Sequence, residues 1–206
     1  LAPSNVLVSG TYYATQTLNN CESISRTPVT VIIHNTPAPT AVNQEFCIAE
    51  GKTINVLAVN GSNVKWYNVL TGGTALNSTT VLTTGTYYAT QTINGCESVN
   101  RKAIIVKIHN TSVPQGSSIQ AFCETEQPQI KDIKITGSSV KWYASSVGGV
   151  VLSPTIPLIN GTIYYATQTL NGCESMVRFP VTVIVHSVQP ITSSTLQVCS
   201  NTSVGQ

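Results

Sequence analysis

Gly85-Thr86-Tyr87-Tyr88-Ala89-Thr90-Gln91-Thr92-Ile93-Asn94-Gly95-Cys96-Glu97-Ser98 decides how the rest of this chain is read. Two β-rich runs, Thr86 to Ile93 and Cys96 to Ile108, flank Asn94-Gly95. That dipeptide is favoured in a type I′ hairpin because both central residues must take positive φ. The same stretch stands at Gly10 to Ser23, and again at Gly161 to Ser175 with one residue inserted. Asn63-Val64-Lys65-Trp66-Tyr67 recurs as Ser139-Val140-Lys141-Trp142-Tyr143, and Phe46-Cys47 recurs as Phe122-Cys123. Equivalent positions lie 75, 76 or 77 residues apart. A period of about 76 is too long for a solenoid unit and suits a small autonomous domain.

Phasing that period over the 206 residues divides the chain unevenly. Residues 1–35 match the C-terminal half of a unit, 36–110 and 111–187 are whole units, and 188–206 match the start of another. The chain reads as an excerpt from a longer array. Within a unit, Thr53 to Val59 alternates polar and apolar residues as a half-buried strand does, and an Asn60-Gly61 turn leads into a strand over Asn63 to Asn68. Thr79 to Leu82 fits a short edge strand. No stretch sustains the 3.6-residue period of a helix. The expected fold is therefore all-β: tandem immunoglobulin-like β-sandwich repeats of six to eight short strands each. Proline-bearing linkers at Asn35 to Pro39 and Asn110 to Pro114 keep the joints extended. Strands of about ten residues, at ~3.3 Å each, make a unit ~35 Å long, so stacked units form a rod.

Composition narrows the function. Only 9% of residues are charged, far below the ~25% of ordinary soluble domains, and Ser, Thr, Asn and Gln fill the polar positions instead. A net charge of +2 without a Lys/Arg cluster gives no footprint for nucleic acid. No apolar run reaches the ~20 residues that span a bilayer, so direct membrane insertion is not expected.

The pattern Phe-Cys, Val-Lys-Trp-Tyr, Gly-Gly, Gly-Thr-Tyr-Tyr-Ala-Thr-Gln-Thr, Asn-Gly-Cys-Glu-Ser and Pro-Val-Thr-Val resembles the Ig-like repeats of very large cell-surface proteins of Bacteroidota. Those proteins are exported by the type IX secretion system and include adhesins of the gliding-motility kind. The resemblance covers essentially the whole chain. It implies a repetitive extracellular stalk, outer-membrane-associated through regions outside this chain.

Six cysteines occupy two repeat positions: Cys47, Cys123 and Cys199 in one, Cys21, Cys96 and Cys173 in the other. No pair has CxxC spacing, so disulfides in an oxidising compartment are expected in place of zinc. Pairing inside each unit joins Cys47 to Cys96 and Cys123 to Cys173, and leaves Cys21 and Cys199 to pair outside the chain. The rival set, Cys21 to Cys47, Cys96 to Cys123 and Cys173 to Cys199, uses every thiol. Pairing inside the unit is favoured because it makes each unit self-sufficient. It requires Cys47 to sit early in its strand, since the Asn94-Gly95 hairpin and the end of the first strand lie at opposite ends of a standard sandwich.

Other residues are weighed as follows. Trp66 and Trp142 alternate with Val64 and Val140 as core residues do. Tyr13, Tyr88 and Tyr165 point away from the core and, with Tyr67 and Tyr143, are the candidates for an aromatic surface contact. His34, His109 and His186 recur once per unit near the end of the last strand, too far apart to share a metal. Glu22, Glu97 and Glu174 each precede an arginine by four residues (Arg26, Arg101, Arg178) and read as exposed strand charges. Asp132 is the single aspartate, so calcium-stiffened junctions are not expected. There is no nucleophile elbow, zincin helix or phosphate loop, so neither enzymatic activity nor a cofactor is expected. The function expected is a structural stalk of a surface adhesin that projects a distal binding region, with further copies of the repeat, surface glycans and other outer-membrane proteins as partners. The alternative is a carbohydrate-binding module array of a secreted polysaccharide-degrading enzyme.

Overall fold

The computed structural model describes residues 4–189. The expected start of a further repeat at 188–206 therefore falls almost wholly outside the described residues. The chain forms two compact units, Leu1–His109 and Asn110–Gln206.

The first unit opens with a small partial repeat: β1 (Gly10–Ala14), β2 (Thr17–Leu18), β3 (Cys21–Glu22) and β4 (Thr27–Val31). β1 pairs antiparallel with β4, and β2 with β3. A complete repeat follows, built from β5 (Gln44–Cys47), β6 (Lys65–Tyr67), β7 (Gly85–Thr90), β8 (Thr92–Ile93), β9 (Cys96–Glu97) and β10 (Lys102–His109). Its main sheet has the order β5-β10-β7-β6, with β5 parallel to β10 and the other pairs antiparallel. The second unit repeats the plan with β11 (Gln115–Gly116), β12 (Ile119–Cys123), β13 (Ile135–Thr136), β14 (Lys141–Tyr143), β15 (Ile163–Thr167), β16 (Thr169–Leu170), β17 (Cys173–Glu174) and β18 (Phe179–His186). Its main sheet runs β12-β18-β15-β14.

The hairpin forms as the sequence predicts. Asn94 and Gly95 sit at φ 50° and 77°, and Asn171 and Gly172 at 51° and 77°. In the partial repeat the glycine is replaced by Asn20, which accepts φ 62°. Asparagine is the residue best able to do so, because its short polar side chain tolerates the left-handed region.

Opposite the main sheet, the second layer is thinner than expected. Thr53 to Val59 is not a strand: Ile54–Val56 is a turn of 3₁₀ helix, and Ile54 and Leu57 both point into the core. Thr79 to Leu82 makes one isolated bridge, Thr53 to Val81, and no ladder. The apolar residues land three apart because a 3₁₀ turn brings i and i+3 to one face. Irregular segments thus close the sandwich, and the core sits between them and the sheet. Trp66, Tyr87, Ala89, Ile104 and Val106 come from the sheet and Ile54, Leu57 and Leu82 from the cover. The second module packs Trp142, Tyr164, Ala166, Val181 and Val183 against Ile130, Ile133 and Leu158 in the same way. Trp66 and Trp142, 7% and 8% exposed, are core residues as the alternation implies.

Candidate functional site

Each module carries one polar constellation on the outer face of its sheet, and every residue type in it repeats. In the first module, β6 and β7 place Lys65 opposite Thr90 and Tyr67 opposite Tyr88. The Glu97 carboxylate on β9 accepts from Lys65 Nζ at 2.6 Å, Thr90 Oγ1 at 2.6 Å and the Tyr67 hydroxyl at 2.8 Å. Glu174 accepts from Lys141, Thr167 and Tyr143 at 2.6, 2.7 and 2.7 Å. The Lys65 ammonium, with the Thr90 and Tyr67 hydroxyls, holds the Glu97 carboxyl down to about 2. At Glu174 desolvation pushes the other way, yet Lys141, Tyr143 and Thr167 outweigh it and hold that group at about 2 as well. Both lysines are correspondingly raised by their carboxylate partners.

The arginines do not face these glutamates. The Arg101 guanidinium lies 3.4 Å above the centre of the Tyr67 ring and donates to the Val69 carbonyl at 2.7 Å. Arg178 stacks 3.5 Å above Tyr143 and donates to Ser145 and Gly148 carbonyls. Glu97 and Arg101 are therefore not the exposed charges of one strand that their spacing suggests. The chain leaves the strand between β9 and β10, and Glu97 meets the lysine of β6 while Arg101 covers Tyr67.

This arrangement corrects the expected aromatic strip. Tyr67 and Tyr143 are 7% and 6% exposed, each covered by its arginine and hydrogen-bonded to its glutamate, so they offer no ring face to a ligand. Tyr88 and Tyr165 are half-buried, and Tyr13 is 65% exposed. The inward tyrosines fold their hydroxyls back on the preceding loop: Tyr12 to Val8, Tyr87 to Thr83 and Tyr164 to Ile159. In immunoglobulin folds this contact pins the start of a strand to the corner before it.

Two further residues carry structural work that the sequence reading did not single out. Buried Gln91 accepts from the Ser62 amide at 3.1 Å and donates to the Pro37 carbonyl at 2.9 Å, which ties the incoming linker to the sheet. Gln168 does the same with Ser138, Ser112 and Val113. The strand-end His109 meets Glu45 at 2.6 Å. Among the described residues, no three His, Cys, Asp or Glu side chains converge as metal ligands. A concavity of about 530 Å³ in the second module is lined by Pro128, Gln129, Pro157, Leu158, Asn160 and Val185 among others, with no aromatic ring.

The cysteines depart from both expected sets. Cys47 and Cys173 are disulfide-bonded, whereas Cys21, Cys96 and Cys123 carry free thiols. Cys47 to Cys96 and Cys123 to Cys173 therefore do not form, and neither do Cys21 to Cys47 nor Cys96 to Cys123. Cys199 lies outside the described residues. The reason is topological. Cys47 is the last residue of β5 and sits beside His109, the last residue of β10. Cys96 belongs to the hairpin at the other end of β10, where its carbonyl takes the hydroxyl of Thr36 at 3.0 Å. The eight residues of β10 span ~25 Å, far beyond the ~7 Å that two bridged Cα atoms allow. The modules hold together without an internal bridge.

Among solved structures, the chain is similar to Sidekick-1 immunoglobulin domains 1–4, with 16% identity over 86% of this chain and 58% of that one, and a TM-score of 0.28. It is also similar to Drosophila OTK extracellular domains 3–5, with 10% identity over 86% and 71% of the two chains and a TM-score of 0.28. The chain thus spans little more than half the length of the Sidekick-1 fragment. No curated protein matches it in sequence. No helix among the described residues is long and apolar enough to cross a membrane. The profile of one family, described as "Ig-like domain CHU_C associated", matches twice, over residues 36–109 and 112–186, and the chain belongs to that family.

Proposed function

We propose that the chain is a segment of a non-enzymatic extracellular stalk on a bacterial cell surface, in which concatenated Ig-like modules form a rod, project a distal binding region and bear load. One observation carries this reading. The polar residues that recur in every complete module, Lys65, Tyr67, Gln91, Glu97 and Arg101 in the first, are spent on one another and on the backbone. A binding module keeps such residues free for its ligand; a spacer consumes them in its own rigidity. An adhesin of the gliding-motility kind, exported by type IX secretion and held at the outer membrane through regions beyond this chain, supplies the setting. Partners then meet the distal region: surface glycans or other outer-membrane proteins. Neighbouring copies of the repeat are the stalk's own partners.

The test uses the 206-residue chain on a glycan array and in pull-downs from outer-membrane extract. The expected result is no saturable binding. Saturable glycan binding abolished by Tyr88→Ala and Tyr165→Ala overturns the reading in favour of a carbohydrate-binding array, because those two are the half-exposed rings of the complete modules.

A further inference from the structure

We propose that the free edge of β12, in the second unit, is a self-association surface. The β12 strand of one copy of the chain pairs antiparallel with β12 of a second copy, about a twofold axis through Ala121.

The two edges of the sheet β12-β18-β15-β14 differ. At β14 the outer edge is already used, because the Trp142 carbonyl accepts from the Leu152 amide at 2.8 Å. At β12 it is open. The Ser118 carbonyl accepts from the Thr182 amide at 2.8 Å, and backbone groups alternate in direction along a strand. Gln120 and Phe122 therefore turn their amides and carbonyls to β18, while Ile119, Ala121 and Cys123 turn theirs outward. The Ser117 hydroxyl covers the Ile119 carbonyl at 2.7 Å. Among the described residues, nothing pairs with the outward backbone groups of Ala121. No ladder closes the gap to the cover either. The Gln120 carboxamide spans it, donating to the Lys134 carbonyl at 2.7 Å and accepting from the Lys134 amide at 2.8 Å. An open groove of about 820 Å³ runs alongside, bordered by Ala121, Phe122 and Ile135 among others.

Edge strands are ordinarily blunted by charge, proline or a bulge. β12 has none of these: its sequence is Ile-Gln-Ala-Phe-Cys, its register is unbroken, and Ile119 is 58% exposed. Its own pattern fits a reversed copy of itself. Pairing about Ala121 sets Ala121 against its mate and Ile119 against Cys123 of the second copy, so the three residues with outward backbone groups all find partners. Small Ala121 at the axis lets the strands close, and Ile119 covers the opposing Cys123. The flanking charges agree. Glu124 and Glu126 follow β12, and Lys134 stands beside Gln120 toward its start, so reversal brings the acidic end of one strand to the Lys134 end of the other. The first module supplies the contrast. Its edge strand β5 has the same place in the sheet and the same carboxamide bridge, from Gln44 to Ala58. There the position of Ala121 is held by Glu45 and that of Lys134 by Ala58. Self-pairing of β5 sets Glu45 against Glu45, and like charges directly opposite are destabilising. One edge is open to a copy of the chain and the other is closed.

Self-pairing goes beyond the stalk reading and does not depend on it: a glycan-binding result removes the stalk and leaves the dimer standing. A contact of one short strand buries less than the ~1,200 Å² of stable complexes, so the association is weak and is best trapped. The experiment uses the 206-residue chain carrying Cys123→Ser and Ala121→Cys, oxidised over a series of protein concentrations and mapped by mass spectrometry after non-reducing proteolysis. Hydrogen-bonded antiparallel partners have Cα atoms ~5.5 Å apart, inside the range a disulfide spans. The expected product is a covalent dimer whose yield rises with concentration and whose linked peptides both carry position 121. Sedimentation of the wild-type chain should show a reversible monomer–dimer equilibrium, weakened roughly tenfold or more by Ala121→Glu. Circular dichroism should not change, because Ala121 is exposed. A wild-type chain that stays monomeric at every concentration, a covalent dimer linked only through Cys21 or Cys96, or an association that Ala121→Glu leaves intact overturns the proposal.

Discussion

The partial repeat at Gly10 to Val31 and the complete module around Gly85 to His109 share nearly the same hairpin sequence, yet only one of them has a core. Tyr87 and Ile104 face each other at 7% and 1% exposure; their counterparts Tyr12 and Val29 pair in the same register, with Val29 47% exposed. Ala89 is fully buried, while Ala14 is exposed. Glu97 collects three donors, where Glu22 has Thr15 at 2.5 Å. Backbone pairing is thus a local property of the Thr-Tyr-Tyr-Ala-Thr-Gln-Thr run and its Asn-Gly turn. Burial and electrostatics come from the Lys-Trp-Tyr strand and the 3₁₀ cover, which lie earlier in the complete module.

The sharpest way to erase the difference is to remove the Trp strand's contribution. Trp66→Ala should cost about 3–5 kcal/mol, the usual loss for deleting a buried aromatic, and leave the first module as poorly packed as the partial repeat. Chemical denaturation followed by Trp142 fluorescence, with far-ultraviolet circular dichroism, reads the two modules separately; an unchanged first transition refutes the core assignment.

Gly61 offers a second test, because a Cβ built there lies 2.8 Å from Pro39 Cβ and 3.2 Å from Gln91 Oε1. Gly61→Ala should destabilise the first module by about 1–3 kcal/mol through overpacking against the linker. Gly10→Ala, with open space around its Cβ, should do almost nothing. Equal effects at both positions would contradict the role given to Gln91.

Acid titration follows in size. Glu97 and Glu174 sit at about 2 in the folded chain against an ordinary 4.5. A lowered folded value stabilises above the unfolded value, so the gain is full above about pH 5 and fades as pH falls through 4.5 toward 2. A third of each carboxylate faces water, which trims the contribution to about 1–2 kcal/mol per module. Glu97→Gln should flatten the acid limb of the first module, whereas Glu22→Gln should leave the melting curve unchanged. The smallest effect belongs to Arg101→Ala, about 0.5–1 kcal/mol from the lost stacking on Tyr67.

What could be seen in the sequence follows the same divide. The hairpin was legible because Asn94-Gly95 states a backbone requirement, and Trp66 because alternation with Val64 on a short strand leaves it one face. The cover was not. Ile54 and Leu57 fit a two-residue alternation poorly, but Val56 and Thr53 mask the i, i+3 spacing of a single 3₁₀ turn. The Glu97 cluster was not legible either, since Lys65, Tyr67 and Thr90 reach it from β6 and β7, strands distant in sequence. That Cys47 does not pair with Cys96 was hidden as well: it depends on which end of the module each thiol occupies, and a list of spacings does not carry that information.

The central claim is mechanical, so the most direct test pulls the reduced 206-residue chain by its ends. Reduced, the two complete modules should unfold in two discrete force peaks. Modules that give way without a resolvable peak would contradict a stalk that bears force.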